Sequence, residues 1–197
     1  MGTKIISAFP ACGKTYAFEK LNQKGYTILD SDSSKFSWVE RRYTEYELQK
    51  LKEEWNSTSC LLSSEQYIDL IRYDKRKIRN PKFPNNYIQH IKENIGKVDY
   101  IFVSSHKEVR DALNSNNIFF TLIYPDRSMK AEWIGRCFLR GSGEKFCQML
   151  ADNWDKWIDE IKSNEHCDRW VLGRDEIIDE ERKTYYYLSE LIEDGQI

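Results

Sequence analysis

The sequence predicts an α/β fold, with a parallel sheet of about five strands and helices on both faces. Three observations carry this. The chain opens with strand, loop, helix and strand in succession over residues 4–29. Two largely apolar runs, 98–104 and 118–124, have the length of strands buried on both faces. Around them the apolar spacing is helical, and strands that alternate with helices build a parallel sheet.

In order, a short apolar strand from Lys4 runs straight into Ala8, and 15–24 form a helix with Ala17, Phe18 and Leu21 on one side, closed by Gly25. A second strand, 26–29, ends on Asp30-Ser31-Asp32. The charge-rich stretch 36–55 reads as helix, anchored by Trp38, Tyr43, Tyr46, Leu48 and Leu51. After a polar break at 56–59, Ser63 or Ser64 caps a second helix running to about Arg79, where Asn80-Pro81 stops it. Pro84 opens a helix over 85–94. The strand 98–104 is followed by a helix at 107–113, and the strand 118–124 by one at 128–139 that ends at Gly141. The longest helix, 144–161, buries Phe146, Leu150, Trp154, Trp157, Ile158 and Ile161. A short strand at 169–172 and a closing helix at 183–192 complete a single domain over 1–197; residues 176–181 receive no assignment.

The chain has 197 residues, enough for a substantial core. A net charge of −2 makes any basic site local. No apolar run is long enough to cross a bilayer, and the first residues lack the order of a signal peptide. Five cysteines, Cys12, Cys60, Cys137, Cys147 and Cys167, are odd in number and fit no zinc spacing, which indicates a reduced cytoplasmic protein.

Between the first strand and its helix stands Ala8-Phe-Pro10-Ala11-Cys12-Gly13-Lys14-Thr15. This is the phosphate-binding Walker A pattern, with Ala in the first position where Gly is commoner. Chance places the bare pattern in roughly one or two chains of this length in a hundred, and strand-then-helix context narrows that further. Backbone N–H groups at a helix start wrap phosphate oxygens closely, and Gly13 permits the approach. The loop 10–15 would hold ATP, with Lys14 on the terminal phosphates and Thr15 on Mg²⁺. Cys12 reads as a small residue that fits the loop, ahead of a redox switch at a helix N-terminus.

Ligands of such sheets sit beyond the carboxyl ends of the strands. That rule brings Asp30 and Asp32 to the loop, as Mg²⁺ ligands, as a base, or simply as turn residues. Arg136 and Arg140 share a helical face after the fourth strand and either clamp a transferring phosphoryl group or pair with Glu132 and Glu144. Arg110, one turn beyond Ser104-Ser105-His106-Lys107, is placed to reach an acceptor phosphate; His106 is a weaker candidate base. On the helix expected at 65–79, Arg72, Arg76 and Arg79 make a basic stripe, solvated or suited to a nucleotide or a DNA end. The third strand lacks the terminal Asp of a motor NTPase.

The loop, Asp30-x-Asp32, an insert at about 36–95, and Arg136-x-x-x-Arg140 in a lid at about 126–143 resemble the P-loop kinases of the nucleoside monophosphate kinase and shikimate kinase group. Val103-Ser104-Ser105-His106-Lys107, Tyr124-Pro125 and Asn153-Trp154 look similar to small kinases of tailed phages, which would work in the host cytoplasm. The resemblance implies a P-loop NTPase fold and Mg²⁺ held by Thr15 and Asp32. It implies catalysis by Lys14, Asp32, Arg136 and Arg140, and acceptor contacts from Asp30, Arg72, Arg76, Arg79 and Arg110. Ser-Ser-His-Lys stands where adenylate kinases carry Asp-Gly-Phe-Pro-Arg. Three activities stay open: transfer of the ATP γ-phosphoryl to a nucleoside monophosphate, transfer to a DNA hydroxyl (a hydroxymethylpyrimidine or a 5′ end), and nucleotide binding without transfer by a module that acts on a host protein or a nucleotide signal.

Overall fold

The computed structural model describes residues 2–57, 61–173 and 184–197. These form two compact units, one of residues 34–83 and a larger one made of the flanking segments.

The larger unit is built on β1 (Lys4–Ala8), β2 (Ile28–Asp30), β5 (Tyr100–Ser104), β6 (Thr121–Pro125) and β7 (Asp168–Leu172). They pair in the order β2-β5-β1-β6-β7, every pair parallel. Ile5, Ile6, Ile101, Phe102, Val103, Leu122 and Ile123 are all buried. That explains the unbroken apolar runs, because a parallel strand covered on both faces has no polar side to alternate with.

Each connection is a helix: α1 (Lys14–Gln23) after β1, α5 (Asn85–Asn94) before β5, α6 (Lys107–Ser115) after β5, and α7 (Lys130–Leu139) with α8 (Glu144–Lys162) between β6 and β7. α9 (Leu188–Glu193) follows β7. Right-handed crossovers put α1 on one face and α5, α6 and α8 on the other. The packing agrees, with α1 against α9 and α5 against α6. The α/β architecture with a five-stranded parallel sheet is therefore as expected. α8 buries Leu150, Trp154, Ile158 and Ile161 at the anticipated spacing.

The smaller unit departs from the sequence reading. Its 36–55 stretch is a helical turn α2 (Ser34–Ser37), a strand β3 (Trp38–Arg42) and a shorter helix α3 (Glu45–Trp55). The second expected helix stops early, as α4 (Ser64–Ile71), and β4 (Lys75–Arg79) replaces its second half. β3 and β4 pair antiparallel from Trp38↔Arg79 to Arg42↔Lys75. The insert is thus not all helical, and Arg76 and Arg79 lie on a strand, apart from Arg72.

Thr44 and Glu47 form a capping box that starts α3, as Ser63 and Gln66 do for α4. Glu47 also takes two 2.7 Å bonds from Arg41 and one of 3.0 Å from Arg76. The Arg41 bonds, then the Thr44 N–H, hold its carboxyl down at about 2. Trp55 stacks on Tyr67 at 3.8 Å and joins α3 to α4. The expected start of the closing helix at Lys183, the 176–181 stretch and Cys60 lie outside the described residues.

Candidate functional site

β1 is the central strand. Its crossover leaves toward β2, whereas those of β5 and β6 leave the other way. The loop after β1 therefore stands where the connections diverge, the usual ligand position in such sheets.

The backbone of that loop is held from behind. The Phe9 N–H donates to Ile123 O at 2.8 Å. Trp133 Nε1 donates to Pro10 O at 2.9 Å, the Cys12 N–H to Phe9 O at 3.2 Å and the Leu188 N–H to Cys12 O at 3.1 Å. The carbonyls of residues 9, 10 and 12 thus face protein donors. The N–H groups of Ala11, Gly13, Lys14 and Thr15 donate to no carbonyl among the described residues. Ala11 (φ 63°) and Gly13 (φ 88°) are both left-handed, a conformation that gathers N–H groups into an anion-binding concavity. For Ala11 it costs about 1–2 kcal/mol. A Cβ at position 13 would sit 3.4 Å from the Tyr187 ring.

Lys14 Nζ donates to Ala8 O at 2.8 Å. Burial lowers its pKa below the ordinary lysine value, with Asp30 and Asp32 partly opposing the shift and Arg140 reinforcing it. The ammonium is thus an incompletely compensated cation inside a ring of N–H dipoles, which favours an anion.

The cleft in front of the loop has a volume of about 700 Å³. Ala11, Gly13, Lys14, Thr15 and Tyr16 form its floor, and Arg136, Leu139, Arg140 and Tyr187 its walls. Arg136 pairs with Glu132, donates to Tyr186 O at 3.1 Å and lies over the rings of Trp133 (4.1 Å) and Tyr187 (4.7 Å). Arg140 donates to Ser142 Oγ at 2.9 Å. Both arginines therefore line the cleft that the loop lines. Tyr187, Trp133 and Leu139 had no sequence signal. Tyr187 falls inside the expected closing helix 183–192, but the helix α9 starts only at Leu188, and the place of Tyr187 over Gly13 depends on the Leu188–Cys12 bond and on Glu190, which accepts from the N–H groups of Tyr186 and Tyr187.

Other expected residues lie elsewhere. Asp30 ends β2, and Asp32 is exposed in the following turn; neither lines the cleft, although their charge reaches Lys14. Tyr87 on α5 fixes that turn through a 2.6 Å bond to Ser31 O. Arg110 is only 2% exposed and pairs with Glu160 of α8. Its Nε and Nη1 meet no acceptor among the described residues. It lines a separate cavity of about 250 Å³ with Phe9, Pro10, Ser105, His106 and Trp157. Arg72 pairs with Glu45 and Arg76 with Glu47, while Arg79 lies over Phe83 and Trp38; all three belong to the smaller unit.

Cys12 is 1% exposed, and burial pushes its thiol up to about 12. Iodoacetamide at pH 7.5 is therefore expected to leave Cys12 unmodified in the native protein and to label it after urea unfolding. Native labelling, read by peptide mass, would revive the redox reading. Among the described residues no cluster of His, Cys, Asp and Glu could hold a metal by itself. No helix of the described residues is long and apolar enough to cross a membrane.

No family model matches this chain, and no curated protein does. Among solved structures, an uncharacterized protein from Eubacterium ventriosum ATCC 27560 is similar over 86% of this chain and 89% of its own, at 14% identity and a TM-score of 0.32. A likeness of that size carries no argument about fold or function.

Proposed function

We propose that this chain is a cytoplasmic ATP-dependent phosphotransferase of the P-loop type that moves the γ-phosphoryl of MgATP to a nucleotidic acceptor, a nucleoside monophosphate first of all. The observation that carries the reading is the convergence of four anion-favouring elements on one cleft: N–H groups without carbonyl partners, Lys14, Arg136 and Arg140. A polyphosphate satisfies all of them together.

In this reading the N–H groups of Ala11, Gly13, Lys14 and Thr15, at the start of α1, hold the β- and γ-phosphates. Lys14 exchanges Ala8 O for phosphate oxygens. Bound Mg²⁺ would supply neutralisation of phosphate charge, and Thr15, through its hydroxyl, and Asp32 are the residues that would hold it. Arg140, which has no carboxylate partner among the described residues, offsets charge on the transferring group. Arg136 is held by Glu132 and Tyr187, so it positions the cleft wall before any ligand arrives. Asp32 is the candidate base for the acceptor hydroxyl or phosphate.

The test is incubation with γ-labelled ATP, Mg²⁺ and a panel of nucleoside monophosphates and hydroxymethylated or 5′-hydroxyl DNA. Label on one acceptor, reduced at least 100-fold by Arg140→Ala, is the expected outcome. Tight MgATP binding without transfer to any acceptor would leave a nucleotide-binding module and end the kinase reading.

A further inference from the structure

The smaller unit carries a feature that the ATP cleft does not use. In the β3–β4 ribbon, side chains alternate between two faces. One face holds Val39, Arg41, Arg76 and Ile78, and both of its arginines pair with Glu47. The other face holds Trp38, Glu40 and Arg42 opposite Arg79, Lys77 and Lys75, and all six are exposed. Four cations meet one carboxylate there. Among the described residues no carboxylate lies within ion-pair range of Arg42, Lys75 or Lys77.

Two details distinguish this face from an ordinary solvated one. Arg42 stands directly across from Lys75, a like-charge pair that destabilises a ribbon unless something anionic sits over it. Aromatic rings are interleaved with the cations: Trp38 is 48% exposed with Arg79 at 5.8 Å, and Tyr73 is 72% exposed with Arg42 at 5.8 Å. Edge lysines that merely deter strand-to-strand aggregation need no such rings. Lys75, Lys77 and Arg79 recur every second residue, about 6.8 Å apart, a row that can follow a charged polymer.

We propose that this outer face of the β3–β4 ribbon binds single-stranded nucleic acid, its cations on successive phosphates and Trp38 and Tyr73 stacking on unpaired bases. Stacking tolerates any base, so the face reads strand form and charge, not sequence. The inference stands apart from the ATP reading, since none of these side chains lines the loop cleft.

The test is fluorescence anisotropy with a labelled dT20 oligonucleotide at about 50 mM salt. Expected is saturable binding with a log–log salt slope of about −2 to −3, which is three or four phosphates on a single strand. The pair Lys75→Glu and Lys77→Glu is expected to weaken binding at least 30-fold, Trp38→Ala about five-fold or more, with MgATP affinity unchanged. Should charge reversal unfold the unit by circular dichroism, Lys75→Gln with Lys77→Gln replaces it, with a loss of at least ten-fold. Lys145→Glu with Lys156→Glu on α8 controls for bulk charge and should leave binding intact. No binding of dT20, equal loss in the α8 control, a duplex bound more tightly than the single strand, or binding to phosphatidylserine vesicles in place of the oligonucleotide would each overturn the proposal.

Discussion

Lys14→Met is expected to lose MgATP binding by at least about 100-fold, a minimum set by removing a charge-assisted contact from an anion site. The same change alters stability in a way that depends on pH. The folded-state pKa of Lys14 lies below 10.5 because the ammonium is desolvated. Between that lowered value and 10.5 the unfolded chain binds more protons than the folded one, so wild-type stability rises with pH across the window. Below it the penalty for burying the charge is fully present. Methionine carries no such penalty but forfeits the bond to Ala8 O, worth about 1 kcal/mol. The melting temperature of Lys14→Met relative to wild type should therefore be highest on the acid side of the lowered pKa and fall as the pH rises toward 10.5. Each kcal/mol corresponds to about 2–4 °C in a chain of this size. Isothermal calorimetry reads the binding, and melts at three pH values read the penalty. Retained MgATP affinity would sink the phosphate site, and a pH-independent difference in melting temperature would remove the strained lysine.

Glu160→Ala is expected to destabilise the larger unit by about 3–5 kcal/mol, whereas Arg110→Met costs far less. The asymmetry follows from burial. Arg110 is 2% exposed, and its side chain already has two N–H-bearing nitrogens without acceptors. Removing Glu160 leaves that guanidinium charged and uncompensated against Phe9, Phe146 and Trp157. Removing Arg110 leaves Glu160, whose side chain is 30% exposed and can be hydrated, while methionine fills part of the vacated volume. Urea melts of the two variants decide it. If Arg110→Met proves the more damaging, Arg110 is not the buried partner that depends on Glu160, and its role as a packed strut between α6 and α8 fails.

The helices whose apolar residues face a neighbour in the same unit were legible to within a few residues. In α8 the spacing of Leu150, Trp154, Ile158 and Ile161 needs no knowledge of what lies opposite. The smaller unit was misread for two reasons. Thr44-x-x-Glu47 is a capping box, and it marks a helix start inside a stretch assigned to one continuous helix. Lys75–Arg79 is so rich in charge that neither helical nor strand periodicity shows, and its strand form depends on a partner more than thirty residues away. The misreading also misplaced the basic residues. On the expected helix Arg72, Arg76 and Arg79 make one stripe; in the structure Arg72 and Arg76 pair with Glu45 and Glu47, while Arg42, Lys75 and Lys77 have no carboxylate within ion-pair range among the described residues.

What the linear order determined by itself is the loop and its setting. A strand that runs into Gly13-Lys14-Thr15 and then a helix is a local arrangement, made by torsion angles, a helix start and nearest neighbours. The tertiary structure decided which arginines face that loop, that Tyr187 closes over Gly13, that Arg110 is locked to Glu160, and that β3 and β4 form a ribbon with Arg41 and Arg76 on one face and Arg42, Lys75 and Lys77 on the other. Those outcomes rest on pairing and burial between distant segments, and local sequence carries almost no trace of which distant groups will compete for a given charge.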